Sequence, residues 1–223
     1  MTLRNLLALL LLLVSPCAAR AESDVWVLGD SIGEGVHLAS GLPSQATHIG
    51  NVAIYTPRIL EQIDRVPRGA SVFISLGTND AVADQVDVKD RVEKIVAAAK
   101  AQGLNQVWIG PPCVVPGWET HAKAIDETLR SELASLKIPY VSTQDTELCP
   151  PAIHAGDGVH FTMAGYGLIW HKAAAAAQEA GIQVQVASAV TPIAGSHVAH
   201  GKSWRYKHKH KNKQSTVKTP DAN

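Results

Sequence analysis

A run of seven residues, Ala-Ser-Val-Phe-Ile-Ser-Leu at positions 70–76, constrains the fold more than any other stretch. The run has the length of a strand, and its apolar character is too continuous for a sheet with one face in water. Strands that are buried on both faces are typical of parallel sheets that carry helices on each side. The run therefore predicts a layered α/β domain, whose other strands and helices the rest of the chain must supply.

Segments with strand character and segments with helical periodicity alternate along residues 24–180, as such a domain requires. Four further strands, which complete a parallel sheet of five, are predicted at residues 24–29, 47–51, 106–109 and 138–141. The helices that flank the sheet are predicted within residues 33–41, from residue 57, and at residues 86–101, 119–136 and 162–180. In sheets of this kind the ligand site lies beyond the carboxyl ends of the strands.

Three polar motifs fall at that edge of the predicted sheet, each in a loop that follows a strand. They are Gly29-Asp30-Ser31, Gly77-Thr78-Asn79-Asp80 and Asp157-Gly158-Val159-His160. Taken singly, each motif is an ordinary turn or helix cap. Their joint occurrence at the ends of different strands indicates a functional site instead.

The residue types in these motifs suit nucleophilic catalysis. A serine such as Ser31 needs a base within hydrogen-bond reach, and histidine, with an ordinary pKa of about 6.5, suits that role. Asp157, three residues before His160, can hold the imidazole in one tautomer and stabilise its protonated form. The backbone amide of Ser31 and the side-chain amide of Asn79 are natural donors to the charge that develops on a carbonyl oxygen.

In this order and spacing the three motifs resemble those of the SGNH hydrolase superfamily, also called GDSL-type esterases, over about residues 24–180. The resemblance implies a three-layer flavodoxin-like fold and ester hydrolysis without a cofactor or metal. It also implies Ser31 as the nucleophile, His160 as the base and Asp157 as its orienting acid. Ser31 and Asn79 would form the oxyanion hole.

The chain departs from the family pattern after the second strand, where the family has a glycine whose backbone amide completes the oxyanion hole. Alignment on Asn51 places Ile54, Tyr55 or Thr56 at that position. Whether a backbone amide of residues 53–56 supplies a third oxyanion donor is therefore undecided by the sequence. A tyrosine at this place would line the acyl pocket and favour a small acyl group such as acetyl.

The first 21 residues read as a secretory signal peptide. Arg4 precedes an apolar run at residues 6–14, and small residues at positions 19 and 21 predict cleavage before Glu22. A membrane anchor is the alternative, but a span needs about 20 apolar residues. Cys17 raises a lipoprotein alternative, although the residues before it fit that signal poorly. We expect an exported protein, periplasmic or secreted, with no transmembrane segment after signal removal.

Export gives the two remaining cysteines, Cys113 and Cys149, an oxidising compartment in which a disulfide can form. The alternative is a pair of buried free thiols. The other histidines of residues 24–180 show no metal-ligand spacing.

The formal net charge of zero conceals an uneven distribution. Residues 22–200 carry 11 basic and 19 acidic side chains, a net of −8, whereas residues 201–223 carry seven basic side chains and one acidic, a net of +6. We predict a hydrolase domain at residues 22–181 and a disordered, basic and histidine-rich tail at residues 182–223. The tail suits contact with anionic envelope polymers, and an exported protein is not expected to bind nucleic acid.

The sequence thus predicts an exported serine esterase that acts through an acyl-enzyme intermediate on short-chain esters. Acetylated polysaccharide, peptidoglycan and small carboxylic esters are the candidate substrates. Two alternatives stay open. One is an envelope acyltransferase that passes the acyl group to a sugar hydroxyl, and the other is a catalytically weak envelope-binding protein with the same fold.

Overall fold

The structure is a computed structural model that describes residues 24–43, 47–49, 52–113 and 117–184. The predicted signal peptide, residues 1–21, and nearly all of the predicted tail, residues 182–223, lie outside these residues and stay predictions. Within the described part of the chain, no helix has both the length and the apolar character that crossing a bilayer demands.

Five parallel strands form one sheet in the order β2-β1-β3-β4-β5. The strands are β1 Val25–Gly29, β2 Thr47–Ile49, β3 Ser71–Ser75, β4 Asn105–Ile109 and β5 Tyr140–Val141. The chain starts near the middle, moves to one edge and returns past β1 to the other, which is the strand order of flavodoxin-like proteins. The predicted α/β class with a parallel, helix-flanked sheet is confirmed.

The described part of the chain has six helices: α1 Ser31–Ser40, α2 Arg58–Ile63, α3 Thr78–Val82, α4 Lys89–Ala101, α5 Glu119–Ser135 and α6 Met163–Glu179. Two single 3₁₀ turns, Thr146–Leu148 and Pro151–Ile153, lie between β5 and α6. The helix predicted over residues 86–101 begins at Lys89, and the five-residue helix α3 was not predicted. Five residues are too few to show the apolar period of a helix.

The two faces of the sheet pack against different helices, and alternate residues of each strand divide between them. Leu28, Ile74 and Trp108 point into a core with α2, α4 and α5, whereas Val27 and Phe73 point into a second core with α1 and α6. All five side chains are fully buried. This division explains why residues 70–76 are apolar without alternation.

A disulfide between Cys113 and Cys149, with Cα atoms 5.5 Å apart, ties the loop after β4 to the loop before α6. Hydrogen bonds join the same loops. The Thr143 hydroxyl lies 2.7 Å from the carbonyl oxygen of Pro111, and the Gln144 side-chain amide donates to Pro112 O at 2.8 Å. Of the two alternatives for the cysteines, the structure therefore has the disulfide.

Candidate active site

Ser31 lies at the carboxyl end of β1, as the first residue of α1. Gly29 before it has a φ of +124°, and a Cβ atom there would lie 1.9 Å from the carbonyl oxygen of Ser75. Only glycine fits this close approach of two strands. The tight turn presents the Ser31 side chain at the exposed edge of the sheet.

Asp30 caps the helix that begins with Ser31. Its Oδ1 atom accepts hydrogen bonds from the backbone N–H of Ile32 at 3.0 Å and from the Ser75 hydroxyl at 3.2 Å. The carboxyl group has no exposed surface. Burial raises its pKa from 3.8 to about 6, although the neighbouring Thr78 hydroxyl and the Ile32 amide favour the ionised form.

His160 joins Ser31 to Asp157. The Nε2 atom of His160 lies 2.9 Å from Ser31 Oγ, and its Nδ1 atom lies 2.7 Å from Asp157 Oδ2. A carboxylate can only accept, so Nδ1 carries the proton and donates to Asp157. Nε2 is then left as the acceptor that faces the serine hydroxyl, which is the tautomer a general base needs.

Asp157 is organised by its own loop. Its Oδ1 atom accepts hydrogen bonds from the backbone N–H of Val159 at 3.0 Å and of His160 at 2.9 Å. Partial burial raises the pKa of Asp157, but these amides and the imidazole outweigh it and lower the pKa to about 2. The acid beside the base is therefore ionised at neutral pH.

The loop that carries Asp157 and His160 closes on itself just before α6. The Ala155 amide donates to the carbonyl oxygen of His160 at 2.7 Å, and the Thr162 hydroxyl caps α6 by accepting from Gly165 N at 3.2 Å. The ring of His154, in the same loop, is half-buried and lies 4.4 Å from the ring of Phe161. Its Nε2 atom lies 3.0 Å from the carbonyl oxygen of Leu148.

Asn79 is the second residue of α3 and follows β3. One N–H of its side-chain amide donates to the carbonyl oxygen of Val52 at 2.7 Å. That hydrogen bond fixes the plane of the amide and leaves its second N–H for another acceptor. A developing oxyanion beside Ser31 is the acceptor that the sequence predicts.

The turn at residues 53–56 does not offer the missing third donor. The amides of Ile54 and Tyr55 donate to the carboxylate of Asp80 at 2.9 and 3.0 Å. The Thr56 amide donates to Ala53 O at 3.1 Å, and the Ala53 amide points to the Thr56 hydroxyl at 3.4 Å. Each backbone N–H of the turn already has an acceptor within the chain.

Asp80 is the residue of this site that sequence reasoning missed. It is the last residue of the motif around Asn79, and nothing in the sequence indicates which backbone amides it accepts from. Among the described residues, no group of three or more histidine, cysteine or acidic side chains is arranged to hold a metal ion.

The fold and the site together define a class of protein. A parallel α/β sheet carries a serine, a histidine and an acid in hydrogen-bond contact at its carboxyl edge, and this is the arrangement of enzymes that transfer acyl groups through a nucleophilic side chain.

Comparison with family models gives the family. The model of the GDSL-like lipase/acylhydrolase family matches residues 27–168, so the chain belongs to this family, as the sequence motifs predicted. A comparison with curated proteins found no match.

Solved structures show the same fold at low identity. A member of the lipolytic protein G-D-S-L family from Veillonella parvula is 17% identical with a TM-score of 0.54, and covers 68% of this chain and 96% of its own. A GDSL-like lipase from Bacteroides thetaiotaomicron is 20% identical with a TM-score of 0.54, and covers 71% and 89%. An acetyl xylan esterase is 14% identical with a TM-score of 0.54, and covers 68% and 98%.

Proposed function

We propose that the protein is a serine esterase in which Ser31 is the nucleophile, His160 the general base and Asp157 the orienting acid. The observation that carries the proposal is the continuous chain of hydrogen bonds from Asp157 through His160 to Ser31, at 2.7 and 2.9 Å. Distances in this range are those over which a base takes a proton from a nucleophile.

In the first half of the reaction, Ser31 Oγ attacks the carbonyl carbon of the ester while its proton passes to His160 Nε2. The negative charge on the carbonyl oxygen is met by the Ser31 backbone N–H and the second N–H of Asn79. The first residue of a helix has no acceptor for its N–H within that helix, so Ser31 can contribute its own amide. The tetrahedral intermediate then expels the alcohol, which takes the proton back from His160.

In the second half, His160 takes a proton from water, and the resulting hydroxide attacks the acyl–Ser31 ester. Collapse of this intermediate releases the carboxylic acid and returns the proton to Ser31. The ionised Asp157 stabilises the imidazolium in both halves, since its pKa of about 2 keeps it negatively charged at neutral pH.

Turnover of p-nitrophenyl acetate tests the proposal. Ser31→Ala and His160→Ala should abolish it, and matched controls at exposed positions, Ser135→Ala and His171→Ala, should retain it. Labelling with a fluorophosphonate should modify Ser31. Absence of both turnover and labelling in the wild type would refute the proposed esterase activity and favour an envelope-binding protein.

We also propose that the acyl group is short, of the acetyl type. Ile54, Tyr55 or Thr56 stands where the family pattern expects a glycine, and the turn that carries them is held in place by hydrogen bonds to Asp80. The Tyr55 side chain is partly exposed, and an aromatic ring in this turn would reduce the room for a long acyl chain. The ratio of kcat/KM for acetyl and octanoyl p-nitrophenyl esters should favour acetyl. Preference for the octanoyl ester would contradict this part of the proposal.

Export to the periplasm or beyond is a further part of the proposal, supported by the signal-like residues 1–21 and by the disulfide, which needs an oxidising compartment. Fractionation of a producing cell should find the shortened protein outside the cytoplasm. The basic residues 201–223 would then contact anionic envelope polymers. Deletion of these residues should lower retention on such a polymer at low salt, and unchanged retention would count against the contact.

A further inference from the structure

We propose that Asp80 is a positioning residue of the oxyanion hole, which acts on Asn79 through the turn at residues 52–56. The inference rests on the proposed function. Asp80 has no exposed surface, and its two carboxylate oxygens accept from two successive backbone amides, Oδ2 from Ile54 at 2.9 Å and Oδ1 from Tyr55 at 3.0 Å. The carboxylate thus holds the backbone of the turn and not another side chain.

Keeping a carboxylate at this depth is costly, which indicates that its contacts matter. Burial raises the pKa of Asp80, and the amides of Ile54 and Tyr55, together with the positive charge of Arg91, favour the ionised form against it. Arg91 also donates to the carbonyl oxygen of Tyr55 at 2.5 Å. The turn is therefore held from both sides, at its amides by Asp80 and at a carbonyl group by Arg91.

One hydrogen bond connects the turn at residues 52–56 to the oxyanion hole. Val52, at the start of the turn, accepts the side-chain N–H of Asn79 at 2.7 Å. Asn79 and Asp80 are neighbours in α3, so the contacts close a ring: Asp80 fixes the turn, the turn fixes Val52 O, and Val52 O fixes the amide of Asn79. The direction of the second N–H, which meets the oxyanion, is set by this ring.

The direction of that donor matters more here than in a pocket with three donors. The amides at residues 53–56 are all engaged within the chain, which leaves the Ser31 amide and Asn79 to meet the oxyanion. Donors stabilise a transition state only when they are aimed before charge develops. Loosening Asn79 should therefore slow the chemical step and leave substrate binding largely unchanged.

A double-mutant cycle separates this role from a general structural one. The four proteins are the wild type, Asn79→Ala, Asp80→Asn and the double variant. The readouts are kcat and KM for p-nitrophenyl acetate and the rate of fluorophosphonate labelling of Ser31. In Asp80→Asn an amide NH₂ replaces one acceptor, so one backbone N–H of the turn loses its partner.

Asp80→Asn should lower kcat and the labelling rate by about tenfold or more in the wild type, with KM within about twofold, because the loss of a whole oxyanion donor costs about 10²–10³. In the Asn79→Ala background the same change should cost less than about twofold, since the group it positions is gone. Equal losses in both backgrounds would overturn the proposal, as would a loss that appears only in KM.

Two further variants control for the possibility that Asp80→Asn misfolds. Arg91→Ala removes an exposed side chain and keeps the buried hydrogen bonds of Asp80, and it should show a smaller loss with the same dependence on Asn79. Asp84→Asn is the matched control, an exposed carboxylate four residues further on, which should leave both rates unchanged. An Arg91→Ala loss that persists in the Asn79→Ala background would also refute the inference. A wild type that neither labels nor turns over would refute the proposed function itself.

Discussion

Asp30→Asn should change how the stability of this protein depends on pH, in a direction that the burial of Asp30 sets. Burial raises the pKa of this carboxyl group from 3.8 to about 6. The folded chain therefore holds the Asp30 proton more tightly than the unfolded chain does. Between these two values the folded chain binds more protons, so the contribution of Asp30 to the free energy of unfolding falls as the pH rises.

The size of the effect follows from the same two values. A rise in pKa from 3.8 to about 6 corresponds to about 3 kcal/mol. Asparagine does not titrate and is as good a helix N-cap as aspartate. Between about pH 3.5 and about pH 7.5, Asp30→Asn should gain about 3 kcal/mol in unfolding free energy relative to the wild type.

Urea unfolding of both proteins over this pH range measures the difference, in which the other titrating groups cancel. Asp157→Asn provides a contrast of opposite sign, because the pKa of Asp157 is lowered to about 2 and the wild type gains stability as the pH rises through the acid range. That effect should be smaller, since half of the Asp157 side chain is exposed. A difference for Asp30→Asn that is flat, or that favours the wild type at higher pH, would refute the reasoning.

Three other changes have expected outcomes. Joint replacement of Cys113 and Cys149 by serine should lower the unfolding free energy by about 4 kcal/mol, as expected for a disulfide that closes a loop of 36 residues. Esterase activity at room temperature should be retained, because hydrogen bonds join the same two loops. Loss of activity in a folded variant would contradict this. Gly35→Ala places a Cβ atom 2.1 Å from the Tyr166 ring and should cost about 1–3 kcal/mol in urea unfolding, whereas an unchanged midpoint would show that α1 and α6 can separate freely. Asn79→Ala should lower kcat by about 10²–10³ with little change in KM, and a KM effect alone would assign Asn79 to binding.

Local sequence was enough to predict the sheet and the residues at its edge. Residues 70–76 show a doubly buried strand by composition alone, and the position of Ser31 follows from the glycine at which β1 ends. The structure brings Ser31, His160 and Asp157 into contact, although their catalytic roles stay predictions. Each inference needed only one strand, its end and the residue type found there.

Contacts that depend on which backbone groups meet could not be predicted from the sequence. Asp80 accepts hydrogen bonds from backbone amides 25 and 26 residues away, and the side chains of Ile54 and Tyr55 do not indicate this partner. The sequence could not decide between a disulfide and free thiols for a similar reason, because the distance between Cys113 and Cys149 depends on how two loops pack. Helix α3 is set by its place after β3 and by tertiary contacts and has no pattern of its own.

The spacing of the three site residues along the chain divides the assembly of the site into two events. Asp157 and His160 are three residues apart in one closed loop, so their hydrogen bond can form as soon as that loop forms. Ser31 lies 129 residues from His160, and their contact requires β1, α1 and α6 to be in place. Contacts of this sequence separation need a costly loop closure before they stabilise the chain, which slows folding. In a refolding experiment, the moment at which Ser31 becomes reactive to a fluorophosphonate would therefore mark completion of the domain.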